Sequence, residues 1–362
     1  MKEYAVEELR PGMKTTKSVY SNHGQLIIEA GTVLTSALIS RLFFYGISSA
    51  EVEEIEKETE EEEEQSFVPK TSYSQQVKRR PEFMDFQIDY TKHLGSVKDS
   101  FNDIRKPDGE VDTEKLLSET SELLSKASTT LGLLDMLHNM RQIDDSIYAH
   151  SVNVALIART LAEWLHFSEE DLKLVTLCGI LHDIGKTALP PELLNKPGKY
   201  TEEEYARVKQ HTLLGYKILK DLPLDVHVKR AALQHHERCD GSGYPQGLKD
   251  DEIDPFAQII AIADVYDAMT AARSYRAPLC PFDVIDAFEK EGLQKYHPQY
   301  ILTFLRRIAS SYQHNRVLLS NGQSGTIVMI NPKHLTQPML QLDDGSILDL
   351  TEHLDLSIAK II

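Results

Sequence analysis

The sequence of 362 residues has little of three things that would each assign it to a class of protein. Its three cysteines, Cys178, Cys239 and Cys280, form no C-x-x-C pair, which argues against a disulfide framework or a thiolate zinc site. Its longest apolar runs, such as IIAIA at 259–263, are far shorter than the roughly 18 residues that a membrane span needs. The opening MKEYAVEELRPGM turns acidic at once, unlike a secretory signal. We therefore expect a cytoplasmic protein without a membrane span.

Positive charge is also scarce, because the formal net charge is −17 at pH 7. Such a balance argues against binding to a nucleic-acid polymer. The excess of negative charge is unevenly distributed, since residues 51–64 hold ten Glu and one Lys. The rest of the chain is only mildly acidic and leaves room for local positive pockets.

The pattern of apolar residues changes three times along the chain. Residues 1–50 alternate short β-like runs and end in a helical pattern, which predicts a small α/β module whose role the sequence does not indicate. Residues 51–83 are acidic and polar and predict a linker, with a solvated helix end and loop as the alternative. Apolar residues then recur every three to four positions over 84–315, which predicts an all-helical domain. Short β-branched runs between Asn-Gly and Asp-Gly turns predict a β module at 316–362. The expected fold class is mainly α.

Some polar side chains lie where a helix presents or ends a face. Asp264 belongs to IIAIADVYDAMTA, a helix so apolar that an unpaired carboxylate would cost several kcal/mol. Asp183 follows the apolar CGIL and poses the same problem, which a metal ion would solve. Any single histidine of this kind is more often an ordinary core or surface residue, so the prediction depends on the coincidence of several. The candidate ligands are His150, His182, Asp183, His211, His235, His236 and Asp264.

These seven side chains offer only nitrogen and oxygen ligands. That set suits Fe, Mn, Zn, Co or Ni and disfavours a thiolate structural site. Seven ligands exceed what one tetrahedral ion uses, so we expect two ions with one aspartate bridging them. Two metal ions about 3.5 to 4 Å apart share a water that becomes hydroxide at neutral pH, and this hydroxide is placed for in-line attack on phosphorus. Phosphoester hydrolysis is therefore the predicted chemistry.

Five motifs follow one another through the helical region, and together they resemble one family. They are HSVNVA from 150, HDIGK at 182–186, KPGKYTEEEYARVKQH ending at 211, HHERCDGSGYP at 235–245 and ADVYDAMTAARSYR at 263–276. The set resembles the HD-GYP family of the HD phosphohydrolase superfamily, tightly over about 125–280 and more loosely over about 85–315. The resemblance implies that a metal-bridging hydroxide hydrolyses cyclic di-GMP to pGpG, with a further step to GMP left open.

The resemblance also implies roles for particular residues. The seven candidates named above would be the ligands of two divalent ions, foremost Fe or Mn, with Asp183 bridging. Lys186 would be catalytic beside Asp183 and meet the scissile phosphate or the leaving oxygen. Arg273 and Arg276 would contact guanine and phosphate through their planar guanidinium groups. Gly243 and Tyr244 would form part of the substrate pocket, Gly243 by close approach of the backbone.

One departure from the family bears on the number of metals. Family members that hold a third ion carry a Glu four residues before the first histidine, where this chain has Ser146. Two ions are therefore favoured, although Asp144 and Asp145 are near enough to leave three open. Another cyclic dinucleotide or nucleotide as substrate, and a catalytically silent cyclic di-GMP-binding or scaffold protein, are the alternatives. A homodimer or a signalling-protein partner is left open.

Overall fold

The computed structural model describes most of the chain outside the acidic stretch. The described residues are 2–5, 9, 13–20, 26–34, 38, 42, 47, 49–53, 77–106, 108–141, 144, 146–194, 196, 198–270 and 280–362. The chain divides into two compact units, Met1–Pro69 and Lys70–Ile362, and each has its own hydrophobic core. No helix in these described ranges is both long and apolar enough to cross a membrane.

The first unit is built from short antiparallel strands. They are β1 (Lys2–Ala5), β2 (Lys14–Thr15), β3 (Val19–Tyr20), β4 (Leu26–Ile28) and β5 (Ser49–Glu53). β5 lies between β1 and β2, and β3 pairs with β4. Ala50 and Val52 alternate with more exposed neighbours in β5 and enter the core. The strand runs past the predicted module boundary at residue 50, and the predicted linker beyond residue 53 lies outside the described residues as far as residue 76.

Helices make up most of the second unit, as the apolar spacing predicts. They are α1 (Pro81–Ile104), α2 (Thr113–Lys126), α3 (Thr130–Arg141), α4 (Ile147–Trp164), α5 (Glu169–Leu181), α6 (Pro191–Leu194), α7 (Glu202–Lys209), α8 (His211–Leu219), α9 (Val226–Gln234), α10 (Pro255–Thr270), α11 (Pro281–Glu291) and α12 (Pro298–Ser311). Short 3-10 turns lie at Ile184–Ala188, Asp250–Glu252, Leu293–Lys295 and Leu350–Glu352. The mainly α fold class is confirmed.

Side-chain caps fix where several of these helices begin. Ser168, Thr201 and Asp225 each accept a hydrogen bond from a backbone N–H in the first turn of α5, α7 and α9. Thr201 and Glu204 form a reciprocal capping box. A cap that sets the start of a short helix also sets its register. α5 and α9 end immediately before a candidate ligand and α7 ends two residues before one, so the caps help to place the site.

Two glycines allow the helices around the site to approach closely. A Cβ on Gly179 of α5 would lie 2.4 Å from the Cα atom of Ala155 in α4. A Cβ on Gly185, the glycine of HDIGK, would lie 1.9 Å from the backbone oxygen of His211. No larger residue fits either position without moving backbone. The backbones of α4, α5 and α8 therefore meet around one point.

The C-terminal strands form a five-stranded antiparallel sheet. They are β6 (Arg316–Leu319), β7 (Ser324–Asn331), β8 (His334–Leu342), β9 (Ile347–Asp349) and β10 (Ile358–Ile361), in the order β10-β6-β7-β8-β9. Gly322 and Gly345 have φ of 87° and 86° in the turns that the Asn-Gly and Asp-Gly pairs predict. Val317 and Leu340 belong to the same buried core as the helices. The division into a helical domain at 84–315 and a β module at 316–362 stays a prediction.

Candidate metal centre

All seven candidate ligands meet at the point where the helices converge. His150 lies in α4, His182 and Asp183 follow α5, His211 opens α8, His235 and His236 follow α9, and Asp264 lies in α10. They form three overlapping groups in which the ligand atoms lie within 4.8 Å of one another. The groups are His150 with His182 and Asp264, His211 with His235 and His236, and His182 with Asp183 and His235. The structure therefore brings together residues more than a hundred positions apart.

Asp183 lies between two pairs of histidines. Its Oδ1 atom is 3.3 Å from His211 Nε2 and 3.7 Å from His235 Nε2. Its Oδ2 atom is 3.5 Å from His150 Nε2 and 3.4 Å from His182 Nε2. The two oxygens of one carboxylate thus face different histidines, which is the arrangement that a bridging ligand needs.

Asp264 connects the same two sides of the site. Its Oδ1 atom is 3.0 Å from His150 Nε2, and its Oδ2 atom is 3.7 Å from His236 Nδ1. Burial lowers the pKa of His150, but the hydrogen bonds to Asp264 and Asp267 outweigh burial and raise that pKa to about 9. Carboxylates that favour a proton on His150 would also favour a metal cation at this place.

Hydrogen bonds fix the orientation of four imidazole rings. In each ring Nδ1 donates outward, at 2.7 to 2.9 Å, so Nε2 is the nitrogen left to bind a metal. At His150, whose raised pKa keeps a second proton on Nε2 at neutral pH, a metal ion would replace that proton. The pairs are His150 with Asp267 Oδ2, His182 with Gly179 O, His211 with Val208 O and His235 with Ala231 O. All four Nε2 atoms face the centre, where a metal ion would need them.

The polar atoms at the centre fit a bound cation. His182 Nε2 and Asp183 Oδ1 are buried and have no hydrogen-bond partner. His211 Nε2 and His235 Nε2 lie 3.2 Å apart, so two lone pairs face each other once both Nδ1 atoms carry the protons. Such contacts are costly in a buried site unless a cation neutralises them. Imidazole and carboxylate ligands suit transition metals such as Fe, Mn or Zn.

The pKa shifts of Asp183 and His211 keep these two groups in the forms that bind metals. Burial raises the pKa of Asp183, but the charge of Lys186 and the neighbouring His182 outweigh burial and hold that pKa well below its usual range. Lys186 Nζ forms an ion pair with Asp183 Oδ2. Burial lowers the pKa of His211 to about 3. An ionised carboxylate and a neutral imidazole are the states that coordinate a metal.

A chain of buried hydrogen bonds supports His150 from behind, and the sequence reasoning missed it. Asp267 Oδ2 lies 2.7 Å from His150 Nδ1, and Asp267 Oδ1 accepts from Asn153 Nδ2 at 2.8 Å. Asn153 Oδ1 in turn accepts from the Tyr90 hydroxyl at 2.6 Å. The sequence holds one weak signal, because Asp264 and Asp267 are three residues apart on one helix and share a face, but that spacing does not show which residue Asp267 supports.

The loop of the GYP motif is anchored by one buried acid. Glu237 Oε1 and Oε2 accept from the backbone N–H groups of Gln246 and Leu248, at 2.7 and 3.0 Å. A Cβ on Gly243 would lie 2.4 Å from the Cα atom of Glu237, so the close approach here is to the chain itself. The Tyr244 ring stacks on His236, with 4.7 Å between ring centres and 30° between planes. The loop thus holds Tyr244 beside the candidate ligands.

Several predicted residues lie away from the centre or outside the described residues. Arg273 and Arg276 fall in the stretch 271–279, outside the described residues, so their predicted contacts with guanine and phosphate stay predictions. The same holds for Asp145. The Ser146 hydroxyl accepts from Ala149 N and caps α4, and Asp144 Oδ1 accepts from Ser146 N at 2.7 Å. Both described side chains are therefore engaged at the start of the helix.

Comparison with known proteins agrees with this geometry. The model of the HD domain family matches residues 113–300, just over half of the chain, and the chain belongs to this family. It is 31% identical over 248 residues to a cyclic di-GMP phosphodiesterase of Pseudomonas aeruginosa, covering 68% of this chain and 59% of that one. It is 41% identical over 144 residues to a 3′3′-cGAMP-specific phosphodiesterase of Vibrio cholerae, covering 40% and 33%. The family that the ordered motifs indicate is thereby confirmed.

A solved structure shares the fold. An HDG"Y"P protein from Bdellovibrio bacteriovorus matches with a TM-score of 0.53 at 18% identity, over 84% of this chain and 97% of that one. At this identity the likeness shows the fold alone. The chain spans about half the length of the curated relatives it matches.

Proposed function

We propose that this protein is a metal-dependent phosphodiesterase that hydrolyses cyclic di-GMP. The observation that carries the proposal is the position of Asp183, whose two oxygens face two different groups of histidines at a buried centre. Two ions that share one carboxylate are a recurrent device for hydrolysing phosphate esters. The substrate is supported by the cyclic di-GMP phosphodiesterases of Pseudomonas aeruginosa and Thermotoga maritima among the relatives.

Each ion has its own set of ligands in this proposal. His150, His182 and Asp264 would hold one ion, and His211, His235 and His236 would hold the other. Asp183 would bridge them, with one oxygen toward each set. Fe or Mn is favoured over Zn, Co or Ni, which the same ligand types also accept. The use of the Ser146 hydroxyl as a helix cap supports two ions over three.

Residues of the chain would orient and neutralise the substrate. Bound divalent ions supply positive charge to the phosphate and lower the pKa of a nearby water. Asp183 keeps the two ligand sets together, and the Lys186 ammonium beside it offers hydrogens to a phosphate oxygen or to the leaving oxygen. Tyr244 provides an aromatic face at the edge of the centre. Gly243 lets the loop close tightly enough to hold that ring in place.

The reaction is a hydrolysis at phosphorus. The oxygen of water forms a new bond to phosphorus, the bond from phosphorus to the 3′ oxygen breaks, and that oxygen takes up a proton. Cyclic di-GMP becomes the linear pGpG, which keeps a 5′ phosphate. A second cleavage of the same kind gives GMP.

A direct assay tests the proposal. Protein loaded anaerobically with Fe(II) or Mn(II) is incubated with cyclic di-GMP, and anion-exchange chromatography follows pGpG while metal analysis gives the occupancy. The double variant His182→Ala with Asp183→Ala should lose the activity, because it removes ligands from both sets. His353→Ala, an exposed histidine of the C-terminal region, is the matched control and should keep it. If fully loaded protein binds cyclic di-GMP without cleaving it, a silent binding or scaffold protein replaces this proposal.

A second cyclic dinucleotide is the other candidate substrate. The relative from Vibrio cholerae named for 3′3′-cGAMP is more identical over its matched region than the one from Pseudomonas aeruginosa, at 41% against 31%. Parallel measurements of kcat/KM on cyclic di-GMP, 3′3′-cGAMP and cyclic di-AMP decide between these substrates, because the preferred one has the highest kcat/KM. A cytoplasmic location and a homodimer or signalling-protein partner stay predictions.

A further inference from the structure

Lys209 is a cation at the edge of the centre, next to two aromatic rings. It ends α7, two residues before His211, and its Nζ lies 5.1 Å from the centre of the Tyr205 ring and 5.6 Å from that of Tyr244. Both distances are within the roughly 6 Å range of cation–π contact. Tyr205 and Lys209 are four residues apart and so share one helix face. The ring of Tyr244 is the one that stacks on His236.

The ammonium groups of Lys209 and Lys186 have different neighbours. Lys186 is paired with Asp183, whereas no carboxylate among the described residues lies within ion-pairing distance of Lys209 Nζ. The nearby Glu204 is paired with Lys196 instead. Aromatic rings hold an ammonium in place but do not neutralise it, so its N–H groups remain able to bind an anion. Tyr205 itself is 49% exposed and presents its ring to the outside.

We infer that Lys209 and Tyr205 form a second subsite, which binds the phosphodiester that is not cleaved and the purine beside it. The inference rests on the proposed function, because a cyclic dinucleotide carries two phosphodiesters and only one can lie at the metals. The other needs a cation of its own at the edge of the centre. A lysine ammonium suits a phosphate as a point charge, and an exposed tyrosine ring suits the face of any base.

Two substrates separate this role from a structural one. Cyclic di-GMP has both phosphodiesters and both purines, while bis(p-nitrophenyl) phosphate has one phosphodiester and no purine. In Mn(II)-loaded protein, Lys209→Gln should raise the KM for cyclic di-GMP about tenfold, because it removes one charge-assisted hydrogen bond. Its kcat, and its kcat/KM on the small diester, should stay within about twofold. Tyr205→Leu should raise the same KM several-fold. Lys209→Arg keeps the positive charge, so its KM should stay close to that of the wild type.

Controls decide between the outcomes. Lys217→Gln removes an exposed lysine from α8 and should leave the kinetic constants for both substrates unchanged. An unchanged KM for cyclic di-GMP in Lys209→Gln overturns the subsite, and so does an equal loss on both substrates, which would mean that Lys209 acts by positioning His211. If the wild type binds cyclic di-GMP without cleaving it, calorimetry replaces KM. A tenfold weaker Kd in Lys209→Gln then supports the subsite although the proposed reaction fails, and a wild type that neither binds nor cleaves overturns both.

Discussion

Replacing Asp267 tests whether the hydrogen bond behind His150 prepares that histidine to bind metal. The carboxylate lies 2.7 Å from His150 Nδ1 and also accepts from Asn153 Nδ2, and all three residues are buried. With Asp267 present, His150 donates from Nδ1 and turns Nε2 toward the centre, where a metal ion would replace the proton that the raised pKa keeps on Nε2. We expect Asp267→Asn and Asp267→Ala to weaken binding of the ion on the His150 side.

The size of the effect follows from what each variant can still satisfy. An asparagine has one oxygen for two donors, but Asn153 can turn its amide and donate to the Tyr90 hydroxyl. That hydroxyl can then donate to Ala149 O, 3.1 Å away, in place of Asn153 Oδ1. After that rearrangement the main loss is the charge of Asp267, so Asp267→Asn should lower the affinity for the ion on the His150 side about tenfold. Asp267→Ala leaves the imidazole free to turn and Nδ1 without an acceptor, so about a hundredfold is expected, at the upper end for such outer partners.

Metal titration with analysis of the bound ions measures both variants. The matched control is Glu119→Gln, which removes the charge from a second pair of histidine and carboxylate, His93 Nδ1 with Glu119 Oε2 at 2.8 Å. Neither residue of that pair is a neighbour in sequence of a candidate ligand. This control variant should lower thermal stability and leave metal affinity unchanged. If both Asp267 variants bind two ions with the affinity of the wild type, the argument that Asp267 prepares His150 is wrong.

Three further outcomes are expected. Gly243→Ala should cost about 1 to 3 kcal/mol, because its Cβ meets the Glu237 backbone, whereas Gly95→Ala in α1, with open space around its Cβ, should stabilise by about 0.5 to 1 kcal/mol; thermal unfolding compares them, and equal effects would contradict the packing argument. Burial lowers the pKa of His93 below its ordinary 6.5 despite the neighbouring Glu119. As the pH falls, His93 is therefore protonated in the unfolded chain at a higher pH than in the folded one. Stability should therefore fall as pH drops below about 6.5, and urea midpoints of the wild type and His93→Gln should differ less at low pH; a constant difference would count against it. Removing metal with a chelator should lower Tm by several degrees, since an ion at 100 times its Kd contributes about 2.7 kcal/mol, and an unchanged Tm in verified metal-free protein would contradict a folded-state site.

The helical region could be predicted because its pattern is local. Apolar residues recur every three to four positions, and caps such as Ser168 and Thr201 stand at the helix starts. The turns at Gly322 and Gly345 are local signals of the same kind. The packing of the C-terminal strands onto the helices was not predictable, because it depends on residues such as Val317 and Leu340 finding partners far along the chain.

The candidate ligands could be named from the sequence, but their supporting residues could not. The ligands stand out because histidines and aspartates in or next to apolar helices are unusual. Asp267 looks like an ordinary polar residue near the end of α10 until the structure shows it behind His150. Tyr205 and Lys209 look like part of the exposed face of a short charged helix. Only the position of Lys209 Nζ between the rings of Tyr205 and Tyr244 distinguishes them from such a face.

His150 is oriented by different means from His182, His211 and His235, and this has a consequence for metal binding. His182, His211 and His235 donate Nδ1 to a carbonyl three or four residues earlier, so each is oriented by its own helix end. His150 is oriented instead by Asp267, more than a hundred residues away, through contact between α4 and α10. A bond within one helix end survives small movements between helices, whereas a bond between two helices does not. Disturbance of the packing between α4 and α10 should therefore weaken binding of the ion on the His150 side more than binding of the ion held by His211, His235 and His236.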